Sequence, residues 1–162
     1  MKTLALLLVG LVACFGLVGC DNWKTTTTPA FSVSLPDTPQ KQTTSIGGIG
    51  SADVYVLNVK DQGIVTVGVS DAWPSMLDAN FVYMTLWPFI VGNMGSKTAT
   101  DLTSINGFTA KEFLTDNGKT AVRIYLNKPA IRYVKIDNQT TALNKDFVKK
   151  VFDGFKPTML QK

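Results

Sequence analysis

The chain has 162 residues, 45% of them hydrophobic and 17% charged, and carries a formal net charge of +4. That length suits one domain with a core of ordinary size, and the basic excess is too slight and scattered to imply nucleic acid, so no nucleic-acid partner is expected. Both cysteines, Cys14 and Cys20, fall in the first twenty residues, which leaves the globular part without a pair for a disulfide.

Residues 1–20 hold one basic residue, Lys2, then an uncharged run from Thr3 to Gly19, then Leu17-Val18-Gly19-Cys20 followed by Asp21. A positive start, a short apolar core and small residues before a cleavage point are the parts of a secretory signal. The run is shorter than the roughly 20 apolar residues that a membrane-crossing helix needs. Leu17-Val18-Gly19-Cys20 resembles the lipobox of bacterial lipoproteins, in which the Cys sulfur carries diacylglycerol, the preceding peptide is cut and the new N-terminus is acylated. The resemblance implies a signal peptide over residues 1–19, lipidation (palmitate) at Cys20 and a membrane-anchored protein of the cell envelope. Several acyl chains hold firmly where one binds only marginally, each buried CH₂ contributing about 0.8 kcal/mol. Asp21 resembles the inner-membrane retention signal of enteric bacteria, so the periplasmic side of the inner membrane is the expected residence.

Residues 20–30 are polar apart from Trp23 and lack apolar periodicity, so they read as a lipidated Cys and a short tether, with Trp23 either at the lipid interface or idle. Phe31, Val33 and Leu35 alternate with serines as in a half-buried strand, and Ala52 to Val59 and Gly63 to Val69 read as two more strands joined at Asp61-Gln62-Gly63. The glycines of Ile46-Gly-Gly-Ile-Gly50 lead into a strand, not a helix, and so make no phosphate cradle. Ser75 is placed to cap a helix from about Met76 that Pro88 ends near Leu86, and no charge occurs between Ala79 and Gly95. This segment, residues 79–95, is either a helix wedged into the core or an apolar patch, with Phe81, Trp87, Phe89 and Ile90 open to a partner. Phe108 to Thr115 and Thr120 to Leu126 form a hairpin about Asp116-Asn117-Gly118-Lys119, and Asn127-Lys128-Pro129 turns the chain into Ile131 to Asp137. Asn144 then caps a last helix that buries Phe147, Val148, Val151, Phe152 and Phe155 and stops at Gly154 and Pro157. Residues 31–157 thus form one α+β domain, an antiparallel β-sheet flanked by helices, and 158–162 a tail.

Phe31-Ser-Val-Ser-Leu-Pro36, Ile105-Asn-Gly-Phe-Thr-Ala-Lys-Glu112, Ala121-Val-Arg-Ile-Tyr125 and Phe147…Val151-Phe152…Phe155-Lys156 together resemble the PsbP-like domains, a family that includes the photosystem II extrinsic subunit and the DcrB-like bacterial lipoproteins. The resemblance implies an α/β/α sandwich with helices on both sheet faces and a non-catalytic accessory, assembly or chaperone-like role.

The chain has no His and a single Glu, Glu112, which removes the commonest general base and zinc ligand. Acylation of Cys20 would remove the last thiol nucleophile. Gly68-Val69-Ser70-Asp71-Ala72 half resembles a nucleophile elbow but ends in Ala and has no histidine partner. Gly118-Lys119-Thr120 echoes a phosphate loop, but Phe113 stands where that loop needs Gly. Asp71 and Asp78 are too far apart for a recognised ion loop, and Asn138-Gln-Thr140 is a sequon by pattern alone. No catalytic residue, metal ligand or cofactor is expected. On the last strands, Arg123 and Tyr125 share one parity, as do Tyr133 and Lys135, opposite to the apolar Val122, Ile124, Leu126, Val134 and Ile136. Side by side the four would make a basic, aromatic surface for an acidic protein or an anionic headgroup. The expected function is a lipid-anchored binding factor with an envelope protein as partner. Alternatives are an immunity or phage-exclusion lipoprotein and a degenerate hydrolase.

Overall fold

In a computed structural model of the protein, residues 22–46, 50–72, 77–84, 97–115 and 117–160 are described. Among the described residues ten strands and two helical segments follow in chain order: β1 Lys24–Thr28, β2 Phe31–Leu35, β3 Gln40–Ile46, β4 Gly50–Val59, β5 Gly63–Ser70, α1 over residues 79–84, β6 Lys97–Ile105, β7 Phe108–Thr115, β8 Thr120–Asn127, β9 Ala130–Asp137, α2 Lys145–Gly154 and β10 Lys156–Pro157. Seven strands make one antiparallel sheet in the order β3-β4-β5-β9-β8-β7-β6, and β1-β2-β10 make a small second sheet. The protein is a sheet-dominated α+β domain.

Each face of the large sheet carries its own core. On one face Phe31, Val33 and Leu35 of β2 and Val151, Phe152 and Phe155 around α2 pack on Val65, Val67, Tyr125, Val134 and Ile136. On the other, Val82 and Tyr83 of α1 pack on Ala52, Val54, Val122, Ile124, Ile131 and Tyr133. One flank is therefore a helix together with a small sheet, and the described part of the other is a single short helical stretch. The central strands β8 and β9 are buried on both faces, which is why they read as almost continuous apolar runs.

The described part of the tether expected over residues 20–30 is folded. Lys24–Thr28 is strand β1, paired with β2 from Lys24↔Leu35 to Thr28↔Phe31. The Thr28 hydroxyl closes the turn, accepting from the amides of Ala30 (3.2 Å) and Phe31 (3.2 Å). Four successive threonines are β-branched and favour a strand; their polarity reflects an exposed edge. The tail begins as part of the fold too, since the Thr158 amide donates to Ala30 O at 2.8 Å. Strands β3 and β6 lack apolar alternation for the same reason as β1: they are the outer strands of the large sheet, where polar and charged residues discourage further pairing.

The helix expected from Met76 is capped later. Asp78 Oδ1 accepts from Phe81 N at 2.8 Å, and the helical residues are 79–84; Ser75, Met76 and Leu86 lie outside the described residues.

Candidate functional site: a cleft beside the closing helix

Helix α2 is fixed at its start by Asn144, whose side-chain oxygen accepts from Asp146 N (2.9 Å) and Phe147 N (3.1 Å). At 3.6 residues per turn, Phe147 and Lys150 fall on one flank of the helix, and Lys145, Val148, Lys149 and Phe152 on the opposite one. Between that second flank and β7–β8 lies a cavity of about 360 Å³, within the range of small-molecule sites. Leu114, Ala121, Val148 and Phe152 supply apolar walls, Arg123 and Glu112 an ion pair, and Lys145 and Lys149 line it from the helix.

The ion pair follows from register, because Glu112 on β7 lies directly opposite Arg123 on β8. Arg123 Nε and Nη2 both donate to Glu112 Oε2, at 3.0 and 2.7 Å, and Nη1 donates to Phe152 O at 3.4 Å. The guanidinium carbon sits 4.6 Å from the centroid of the Phe152 ring, a cation–π contact. Burial pulls the Arg123 guanidinium toward neutrality, but the hydrogen bond to Glu112, the nearby Tyr125 phenol and the Glu112 charge outweigh it, and its pKa moves up. Glu112 keeps 32% of its side chain exposed against 13% for Arg123, so the carboxylate is the more easily displaced partner. Lys149 is held by Asp153 one helical turn on, which keeps the Asp153 carboxyl below the ordinary range. A permanent cation on an apolar floor can hold and orient an acidic group; it offers no nucleophile.

The four-residue surface expected on β8 and β9 does not form. Arg123 pairs with Val134 and Tyr125 with Arg132, whereas Tyr133 pairs with Ile124 and Lys135 with Val122. Directly opposed residues share a face, so Arg123 and Tyr125 turn to the α2 side, and Tyr133 and Lys135 to the α1 side. Tyr125 is fully buried, its ring 5.0 Å from that of Phe155, and burial pushes its hydroxyl up to about 12. That hydroxyl lies beside the Arg123 cation but closes no well-formed hydrogen bond among the described residues. Tyr133 is buried in the α1-side core, where burial raises it to about 12 also. Lys135 Nζ lies 3.6 Å from Asp137 Oδ2. Of the four, Arg123 alone reaches the cleft. Phe81 is 51% exposed while its neighbours Val82 and Tyr83 are buried, so α1 is a core helix with an open outer face. Trp87, Phe89 and Ile90, like Cys20 and Asp21, lie outside the described residues.

Trp23, placed at the lipid interface or left idle by the sequence, is tilted against Phe147 with ring centroids 5.8 Å apart, and Lys150 Nζ lies 4.3 Å over its ring.

The residue that sequence reasoning missed is Arg132, fully buried in β9. Its guanidinium donates to Ser70 O (2.8 Å), Ile131 O (3.0 Å), Ala30 O (3.3 Å), Thr158 O (3.4 Å) and Asp71 Oδ1 (2.8 Å), joining β5, the β1–β2 turn and the C-terminal segment. A lone cation inside Ala130-Ile-Arg-Tyr-Val134 was the available signal, since a charge buried on a two-sided strand requires partners. Arg132 also accounts for the elbow-like Ser70-Asp71: the Ser70 carbonyl and the Asp71 carboxylate are its acceptors, and the Ser70 hydroxyl donates to Ser51 O at 3.2 Å. The other chemical echoes are structural as well. Asp78 caps α1, Gly118 holds a hairpin turn at φ 65°, and the Asn138 side-chain oxygen accepts from the amides of Thr140 (3.1 Å) and Thr141 (3.2 Å). No cluster of metal-ligating side chains occurs among the described residues.

No protein-family model matches the chain, and no curated protein does. Among solved structures, the solution structure of cyanobacterial PsbP (CyanoP) from Synechocystis sp. PCC 6803 is similar at 13% identity with a TM-score of 0.49, over 91% of this chain and 98% of that one.

Proposed function

We propose that the protein is a lipid-anchored binding factor of the bacterial cell envelope, on the periplasmic side of the inner membrane, that acts without catalysis. Its partner is an envelope protein presenting an acidic side chain beside apolar ones. The lipobox-like Leu17-Val-Gly-Cys20 supports the anchor, and the motifs between residues 31 and 157 that resemble PsbP-like domains support an accessory role. The observation that carries the binding reading is Arg123: a permanent cation on the floor of an apolar cleft, held by one partly exposed carboxylate that an incoming acidic group can replace.

The test is photo-crosslinking in intact cells. A photoreactive residue at Leu114, on the wall of the cleft and 45% exposed, is compared with one at the exposed Lys128 in the β8–β9 turn. A discrete adduct formed from position 114 and absent from 128 is expected. Equal labelling from both positions contradicts the reading. A toxin or phage component as the adduct would identify an immunity or exclusion lipoprotein.

A further inference from the structure

The anchor and the domain are closer together than a tethered lipoprotein requires, and this fixes which side of the domain meets the membrane. Residues 20–30, if unstructured, would let the domain wander about 35 Å from the lipid. Instead Trp23 is docked on Phe147 and Lys150, and β1 is paired along its length from Lys24. Only Asp21 and Asn22 separate Cys20 from Trp23, three steps along the chain and a reach of about 10 Å when fully extended. The polar layer of a bilayer leaflet is itself about 5–8 Å deep.

We infer that the flank of α2 carrying Trp23 and Phe147 lies against the phospholipid headgroups, so that the Arg123 cleft on the opposite flank is turned away from the membrane and open to the periplasm. The inference rests on the lipid-anchor reading. Beside Trp23 is a groove of about 370 Å³ lined also by Val59, Gln62, Phe147 and Lys150. Charges around the groove offset one another: Lys24 is paired with Asp37 at 2.7 Å, and Lys150 over Trp23 shares the groove with Asp146. Contact is therefore imposed by the short covalent strap, not by attraction to anionic lipid, and does not depend on lipid charge. The cleft lies across the helix, whose diameter is about 10 Å.

The test uses the intact lipidated protein in vesicles of phosphatidylethanolamine and phosphatidylglycerol. Cys14 is removed with the signal and Cys20 is acylated, so an introduced Cys is the only free thiol for a nitroxide. Asp146→Cys places the label in the groove, and Asn80→Cys places it on α1, beyond the large sheet. Collisions with a nickel chelate tethered to headgroups should be several-fold more frequent at 146 than at 80, and unchanged when phosphatidylglycerol is replaced by phosphatidylcholine. A long Gly-Ser spacer between Asn22 and Trp23 should abolish the difference. Palmitate-labelled protein with equal collisions at both positions overturns the inference alone. Failure of the protein to incorporate palmitate overturns the anchor and, with it, the inference.

Discussion

Replacing Arg132 by Met keeps a long apolar stem while removing a guanidinium that bonds five acceptors from four segments. Breaking a buried charge pair typically costs about 3–5 kcal/mol, because the remaining partner is left uncompensated. Here the partner Asp71 keeps 34% of its side chain exposed and regains water, which sets the loss toward the lower figure. The carbonyls of Ala30 and Ser70, which lose this donor in a buried setting, push it up again. A cost of about 4 kcal/mol out of the 5–15 that hold a domain is expected, or a Tm lower by roughly 10–15 °C for a domain of this size. Arg132→Lys should fall between, since a point charge cannot reach all five acceptors at once. Asp71→Asn keeps an acceptor in place but leaves the fully buried guanidinium without its counter-charge, so it too should be costly, at about 3 kcal/mol. Thermal melts of a soluble form beginning at Asn22 give the order directly. An Arg132→Met protein that melts within a degree of the parent would refute the clamp.

Three further outcomes follow from the cores. Tyr125 and Tyr133 are both raised to about 12 by burial; the unfolded chain, with phenols near 10, ionises first, so stability is whole below pH 10 and falls between about pH 10 and 12, by up to about 3 kcal/mol for each tyrosine. Tyr125→Phe should halve that alkaline loss in denaturant titrations at pH 7 and 11, and should leave stability at pH 7 unchanged or improved, since its buried hydroxyl has no hydrogen-bond partner among the described residues. Gly68→Ala would set a Cβ 1.9 Å from Tyr133 Cε1, so the ring must move, at about 1–3 kcal/mol by thermal melt, partly recovered by adding Tyr133→Leu. Phe152→Ala should cost about 3–5 kcal/mol, but Phe147→Ala less than about 2, because Phe147 is half-buried beneath Trp23 and not in the core as its spacing implies.

The elements that sequence made legible are those whose periodicity is enforced by one wet and one dry face. Phe31, Val33 and Leu35 alternate with serines that stay partly exposed, and the Asn144 cap and the buried Val151, Phe152 and Phe155 follow from helical spacing. Periodicity is no guide where burial is two-sided or absent. In β8 and β9 both faces are dry, so parity could not say which residues meet, and that required the register Arg123↔Val134. In β1 no residue is fully buried, so four threonines looked like a linker. The candidate site was legible in one residue, Arg123. Its cleft depends on Glu112 and Phe152 arriving from other elements, and no local pattern encodes that meeting.

Binding of an acidic partner in the cleft depends on Arg123. In cells carrying the photoreactive residue at Leu114, Arg123→Gln removes the cation with little change in shape, and Arg123→Lys keeps the charge without the fork. If the cleft binds an acidic envelope partner, the adduct should be lost in Arg123→Gln and reduced in Arg123→Lys, with both proteins folded and present in the membrane at parental levels. An adduct of undiminished yield in Arg123→Gln would contradict the claim.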